Sequence, residues 1–174
     1  MILSGIHIAL QVKKGKIKVD PFLHSNVTTN SYDLHLGNTL IKYTDKILDP
    51  KKEPRYKTIT IPKEGYVLTR GSFHLGSTVE RIGSDYFVPI IHAKSNTARM
   101  GLFVHVTADL IDIGSYGVST LQLYATVPVR IYPYMPIAQV SFWVPKGKIK
   151  LYDGKYQNST GPMISQCYKD AWKK

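Results

Sequence analysis

The chain has a single cysteine, Cys167, among its 174 residues. No intrachain disulfide can form, and a thiolate zinc site would need other ligands. Glutamate is nearly as scarce. Glu53, Glu64 and Glu80 are the only three, which limits the carboxylates available for acid–base work. No apolar run is long enough to span a bilayer. The N-terminus, MILSGIHIALQVKKGK, lacks a basic region before its apolar residues and an A-x-A-like cleavage site, so no signal peptide is read and a cytoplasmic location is expected. Several catalytic signatures are also missing. There is no H-x-E paired with P-C-x-x-C, as in zinc nucleobase deaminases. H-E-x-x-H and the G-x-x-x-x-G-K-[ST] phosphate loop are absent, as is the G-x-S-x-G nucleophile elbow.

What remains is a basic, moderately apolar chain. Hydrophobic residues make up 43% of it, enough for a core, and the length favours one domain over residues 1–174. The formal net charge is +11, a balance that attracts polyanions. The lysines are scattered, as at Lys13-Lys14, Lys51-Lys52 and Lys146, Lys148 and Lys150, and the aromatics are not interleaved with them. A solvated positive surface is the expectation, and nucleic-acid binding ranks last among the functions considered.

Hydrophobic periodicity predicts one helix and many short strands. Ser4–Lys14 has helical spacing, Ser4 as N-cap and Gly15 as its stop. Strand patterns follow at Lys16–Val19, Asn30–Gly37, Thr39–Tyr43, Lys57–Ile61, Gly65–Thr69, Ser77–Arg81 and Tyr86–Ile91. More come at Leu102–Val106, Val118–Thr126, Val129–Tyr132 and Ile137–Val144, rich in Val, Ile, Leu and aromatics. Gly37-Asn38 reads as a turn between two strands, and residues 45–56, with Pro50 and Pro54, read as a loop. Ser95–Met100 is predicted as one helical turn capped by Ser95. The sum is a mainly all-β barrel or jelly roll with a short N-terminal helix.

The densest polar cluster lies between His92 and Gln122. Lys94, Ser95, Asn96 and Arg99 have the makings of a phosphate cradle beside a helix start, or of a solvated turn. Asp112, in Leu110-Ile111-Asp112-Ile113-Gly114, is placed either to bind a sugar hydroxyl or orient a water, or to cap its own turn. His105 alternates with Val104 and Val106 and so faces away from that apolar pair. Polar groups set among apolar strand residues are costly unless paired, so the stretch is read as a site.

Taken together, these segments resemble the dCTP deaminase family, whose fold is shared with the trimeric dUTPases. The matching stretches are Met1-Ile2-Leu3-Ser4, Asn30–Gly37, Lys94–Leu102, His105–Ala108, Ile111–Gly114, Pro136–Gln139, Gly154–Gln157 and Gly161-Pro162. The resemblance implies a distorted β-barrel of the dUTPase-like type and a homotrimer with sites at subunit interfaces. It implies a pyrimidine nucleoside triphosphate bound with Mg²⁺, and residues 146–174 as a segment closing over it. Arg99 and Ser95 would contact phosphate or the reacting region, with Lys94 and Asn96 beside them. His105, Val106, Thr107 and Ala108 would line the pyrimidine pocket, Asp112 would hold the deoxyribose, and Tyr152 and Lys155 would reach the nucleotide from the tail.

The chain departs from the family's pattern at four places. The water-activating glutamate falls on Gln122, a neutral amide that cannot usefully accept a proton near pH 7. Ser115 stands where an aromatic usually packs on the sugar. Ser159 takes the place of the tail's base-contacting glutamine. Lys94 replaces an arginine and loses its bidentate fork. The expected reaction is hydrolytic deamination of dCTP to dUTP and ammonia, with Gln122 orienting water. The alternatives are dUTP diphosphatase activity or a non-catalytic nucleotide-binding protein.

Overall fold

The computed structural model describes residues 1–170. The last four residues of the predicted closing segment, 171–174, lie outside them.

The chain opens with α1 (Gly5–Lys13), and Ser4 is its N-cap as predicted, its Oγ accepting from His7 N at 3.4 Å. Gly15 follows with a positive φ of 70°, a conformation suited to glycine. The strands are β1 (Ile17–Asp20), β2 (Tyr32–His35), β3 (Thr39–Tyr43), β4 (Tyr56–Thr60), β5 (Tyr66–Leu68), β6 (Phe73–Ser84) and β7 (Val88–Ala93). After α2 (Ser95–Arg99) come β8 (Leu102–Phe103), β9 (Tyr116–Ala125), β10 (Val129–Ile131) and β11 (Pro136–Trp143). Among the described residues no helix is long and apolar enough to cross a membrane.

Three sheets result. The largest runs β4-β3-β6-β9-β8, with β1 also on β6; the others are β2-β11-β7 and β10-β5. The fold is mainly β, as the sequence pattern predicts. The hub is β6, which pairs with β9 through Leu75↔Gln122 and shifts register between Ser77 and Arg81. Its far half pairs with β1 from Ile17↔Ser84 to Asp20↔Arg81. Between the sheets lies the core, with Tyr32, Leu34, Leu36, Leu121, Leu123, Val140 and Phe142 all fully buried. Tyr32, Leu34 and Leu36 are the face that period-two alternation marked in β2.

Two expectations need correction. Gly37-Asn38 does not turn β2 back onto its neighbour β3: β2 pairs with β11, and β3 with β4 and β6. Gly37 N donates to Ser77 O at 2.8 Å, and Leu36 bridges Thr78, so the chain crosses from one sheet to the next at this point. And Ser95 is not the cap of α2. Lys94 holds that position, extended at φ −66° and ψ 144°, and makes no capping side-chain bond.

Candidate active site

β9 positions the centre of the site. Along it Gly117, Leu121, Leu123 and Ala125 are buried, while Val118, Ser119, Thr120 and Gln122 are partly exposed. Those four border an open cleft of about 950 Å³. The loop after β8 forms one wall with His105, Ala108 and Asp112, and the C-terminal segment forms the roof with Tyr152, Lys155 and Ser159. Ser115, Tyr156 and Met163 also line it. Residues separated by more than fifty positions in sequence thus face one space.

Gln122 is held at both ends. Its backbone N donates to Val104 O at 2.8 Å, and its side-chain Oε1 accepts from Val106 N at 3.3 Å. His105, between those two partners, has both ring nitrogens buried without a hydrogen-bond partner among the described residues. Burial pushes its pKa down to about 4; Asp109 pulls it upward and His92 adds to the downward push. The imidazole is therefore neutral at pH 7 and retains one donor and one acceptor for a ligand. Val106 and Thr107 are exposed and lie outside the cleft lining. Asp112 does not cap its own turn with its carboxylate. Its backbone oxygen accepts from Ser115 N at 3.0 Å, and among the described residues the carboxylate has no hydrogen bond.

The roof is sewn onto β9 and the turn before it. Gly114 has φ +90°, and a Cβ there would stand 2.9 Å from Tyr152 N. A Cβ on Gly117 would meet Ser159 N at 2.7 Å. Both glycines allow tail backbone to approach where a side chain would block it. Ser159 Oγ donates to Val118 O at 2.6 Å, so this hydroxyl fastens the tail to β9. Lys155 Nζ donates to Gln166 O at 3.1 Å and pairs with the Asp170 carboxylate, whose hydrogen bond raises the ammonium pKa.

Sequence reasoning gave no role to a further tail anchor. Gln157 Oε1 accepts from Tyr116 N at 2.7 Å, and its Nε2 donates to Gly114 O at 2.9 Å. A polar residue in a polar loop carries no periodic signal that would mark it. Asp33, the ion-pair partner of Lys94, was likewise not singled out.

The predicted phosphate cradle is elsewhere on the subunit. Ser95, Asn96 and Arg99 are exposed on α2, and Arg99 borders a separate depression with Met100, Gly101, Thr126 and Arg130. None of Lys94, Ser95, Asn96 or Arg99 reaches the cleft lining. Among the described residues no group of three or more His, Cys, Asp or Glu is placed to hold a metal ion.

The fold and site define a mainly β protein whose ligand cleft lies between a long central strand pair and a C-terminal roof. The chain belongs to the dCTP deaminase-like family, whose sequence model matches residues 2–144. It is 42% identical over 171 residues to a dCTP deaminase, dUMP-forming, of Hathewaya histolytica, covering 98% of this chain and 99% of the relative. It is 38% identical over 175 residues to the protein of that name from Leptospira biflexa serovar Patoc (strain Patoc 1 / Ames), covering 100% of each. Its fold is similar to that of the 2'-deoxycytidine 5'-triphosphate deaminase from Agrobacterium tumefaciens. The TM-score is 0.64 at 21% identity, over 83% of this chain and 48% of that one.

Proposed function

We propose that the cleft binds a pyrimidine deoxynucleoside triphosphate with Mg²⁺ and that its product is dUMP, reached from dCTP. The observation that carries this reading is the convergence of Gln122, His105, Ala108, Asp112, Tyr152 and Lys155 on one cleft, in a chain whose relatives are named dCTP deaminase, dUMP-forming. The dUTP expected from sequence is then an intermediate. One water adds at C4 of the base and ammonia leaves; a second attacks the α-phosphorus and pyrophosphate leaves. The place of action we expect is the cytoplasm.

The residues divide the work. The His105–Ala108 segment borders the base and Asp112 the sugar, with Val106 and Thr107 at the rim. Tyr152, Lys155 and Ser159 act from the roof; Lys155 would exchange Asp170 for a phosphate oxygen. Bound Mg²⁺ supplies neutralisation of the triphosphate charge. Arg99 and Ser95, with Lys94 and Asn96, would come from a second copy of the chain, because α2 lies outside the cleft of its own subunit. A homotrimer with shared interface sites supplies that arrangement.

Gln122 sets the weak step. A positioned base contributes about 10²–10⁴-fold to proton transfer, and an amide orients water without accepting its proton. This favours a second reading, in which the diphosphatase half, dUTP to dUMP and pyrophosphate, dominates. Purified protein and a Gln122→Glu variant, each given dCTP, dUTP or CTP with Mg²⁺ and analysed by chromatography, separate the readings. We expect slow ammonia release from dCTP that rises about 10²-fold or more in Gln122→Glu. Pyrophosphate release from dUTP should be comparable in both proteins. Rapid deamination by the unaltered protein would overturn the role given to Gln122. Tight binding without any product would move the protein to a non-catalytic nucleotide-binding role.

A further inference from the structure

The amide that replaces a carboxylate at position 122 also changes what the cleft presents to the base. An amide has an acceptor end and a donor end, and the two are interchangeable unless a neighbour fixes them. Here the neighbour is Val106 N–H, 3.3 Å from Oε1. Turning the group over would set NH₂ against a backbone N–H, donor against donor. The oxygen is therefore tied to the wall, and Nε2 with its two hydrogens is the free end. No described residue accepts from it.

Neither carboxylate that lines the cleft among the described residues hydrogen-bonds to this end. The two carboxylates in the cleft are Asp112 and Asp170. Asp170 is paired to Lys155. Asp112 lies ten positions before Gln122, beyond the glycine turn that leads into β9.

From this arrangement we infer that Gln122 makes the cleft a reader of 4-oxo pyrimidines, binding uracil deoxynucleotides in preference to cytosine ones. The inference rests on the nucleotide reading above. The chemistry is a matter of one edge atom. Uracil presents a carbonyl oxygen at C4, which accepts from Nε2. Cytosine presents an amino group there, which faces Nε2 donor to donor. A site that leaves a buried donor unpaired penalises the wrong ligand at least as much as it favours the right one. The preference expected is on the order of tenfold or more. A cleft of this kind also holds the 4-oxo product of a deamination more firmly than the amino substrate.

Isothermal calorimetry with Mg²⁺ and the α,β-imido analogues of dUTP and dCTP tests this, since neither analogue loses pyrophosphate by hydrolysis at its α,β linkage. The uracil analogue should bind at least tenfold more tightly. In Gln122→Met, similar in length and without donor or acceptor, the two affinities should converge. Equal affinities in the unaltered protein, or tighter cytosine binding, would overturn the inference and leave the nucleotide site standing. A preference that persists in Gln122→Met would show that another group reads the base and would also overturn it. No binding of either analogue by a folded protein would remove the nucleotide reading, and the inference with it.

Discussion

Two histidines that make no hydrogen bond through either ring nitrogen among the described residues carry a cost that depends on pH. His74, on β6, is 2% exposed and packs edge-on against Tyr66, with ring centroids 5.7 Å apart. Burial first, then the positive fields of Lys42 and Lys57, push its pKa from 6.5 to about 4. In the unfolded chain the ring takes a proton near 6.5, while the folded protein refuses it until about 4. Acid therefore favours unfolding across that interval, and stability present above pH 6.5 is lost as the pH falls. At pH 5 His74 alone should have removed about 2 kcal/mol, with His105 adding in the same direction. Urea denaturation at pH 7.5 and pH 5 checks this: His74→Phe should shrink the difference between the two midpoints, and an unchanged difference would refute it. The sequence carries part of this. Alternation turned His105 away from Val104 and Val106, but nothing local told that its ring would be buried. His74 carries no such signal, because a histidine between Phe73 and Leu75 looks the same whether its own face is wet or dry.

At the level of elements, strands marked by alternation or by a run of branched residues were legible, and a strand that buries polar residues was not. β3 has the bounds the pattern predicts, Thr39–Tyr43. The pattern predicts only Ser77–Arg81 of β6, yet the strand spans Phe73–Ser84 and buries nine of its twelve residues. Its polar members break the alternation that a half-exposed strand would show. Glu80 is the clearest case. It is 2% exposed and accepts from both His35 N at 2.9 Å and His35 Nδ1 at 2.7 Å, tying β6 to β2. Glu80→Gln keeps the shape but weakens both bonds and leaves His35 with a poorer acceptor. The expected cost is about 2 kcal/mol, read as a lower denaturant midpoint, and a change below about 0.5 kcal/mol would mean the link is not structural. The tail is the other element whose attachment was hidden. Gln157→Ala removes both its bonds to the turn between Gly114 and Tyr116. Hydrogen exchange should then quicken at Tyr152, Gln157 and Asn158, whose backbone N–H groups bond within or across this junction, while the β6–β9 pair stays protected. If the roof closes over nucleotide, KM should rise more than kcat falls.

For the whole molecule, the residues that the resemblance assigns to one site fall into two separate groups on the subunit. The cleft with Gln122 and Asp112 lies under the roof, while Arg99 borders the depression beside Thr126–Arg130. The family resemblance linked both groups to one nucleotide, but sequence spacing cannot tell whether two segments meet within a chain or across chains. The net charge of +11 fits either case, since scattered lysines attract a polyanionic ligand without locating it. Subunit mixing decides the matter. Arg99→Ala and Asp112→Ala should each abolish turnover of dUTP when assayed alone. If neighbouring copies share each site, unfolding and refolding the two variants together in equal amounts should restore intact pairs at roughly a quarter of the sites, because each site draws one residue from each of two chains at random. Activity should then return to about that fraction. If each subunit instead works alone, no combination places an intact arginine and an intact aspartate around one nucleotide, and the mixture stays as inactive as its parts. Recovery would make assembly a condition of chemistry, so that dilution below the subunit dissociation constant lowers specific activity even while every chain remains folded.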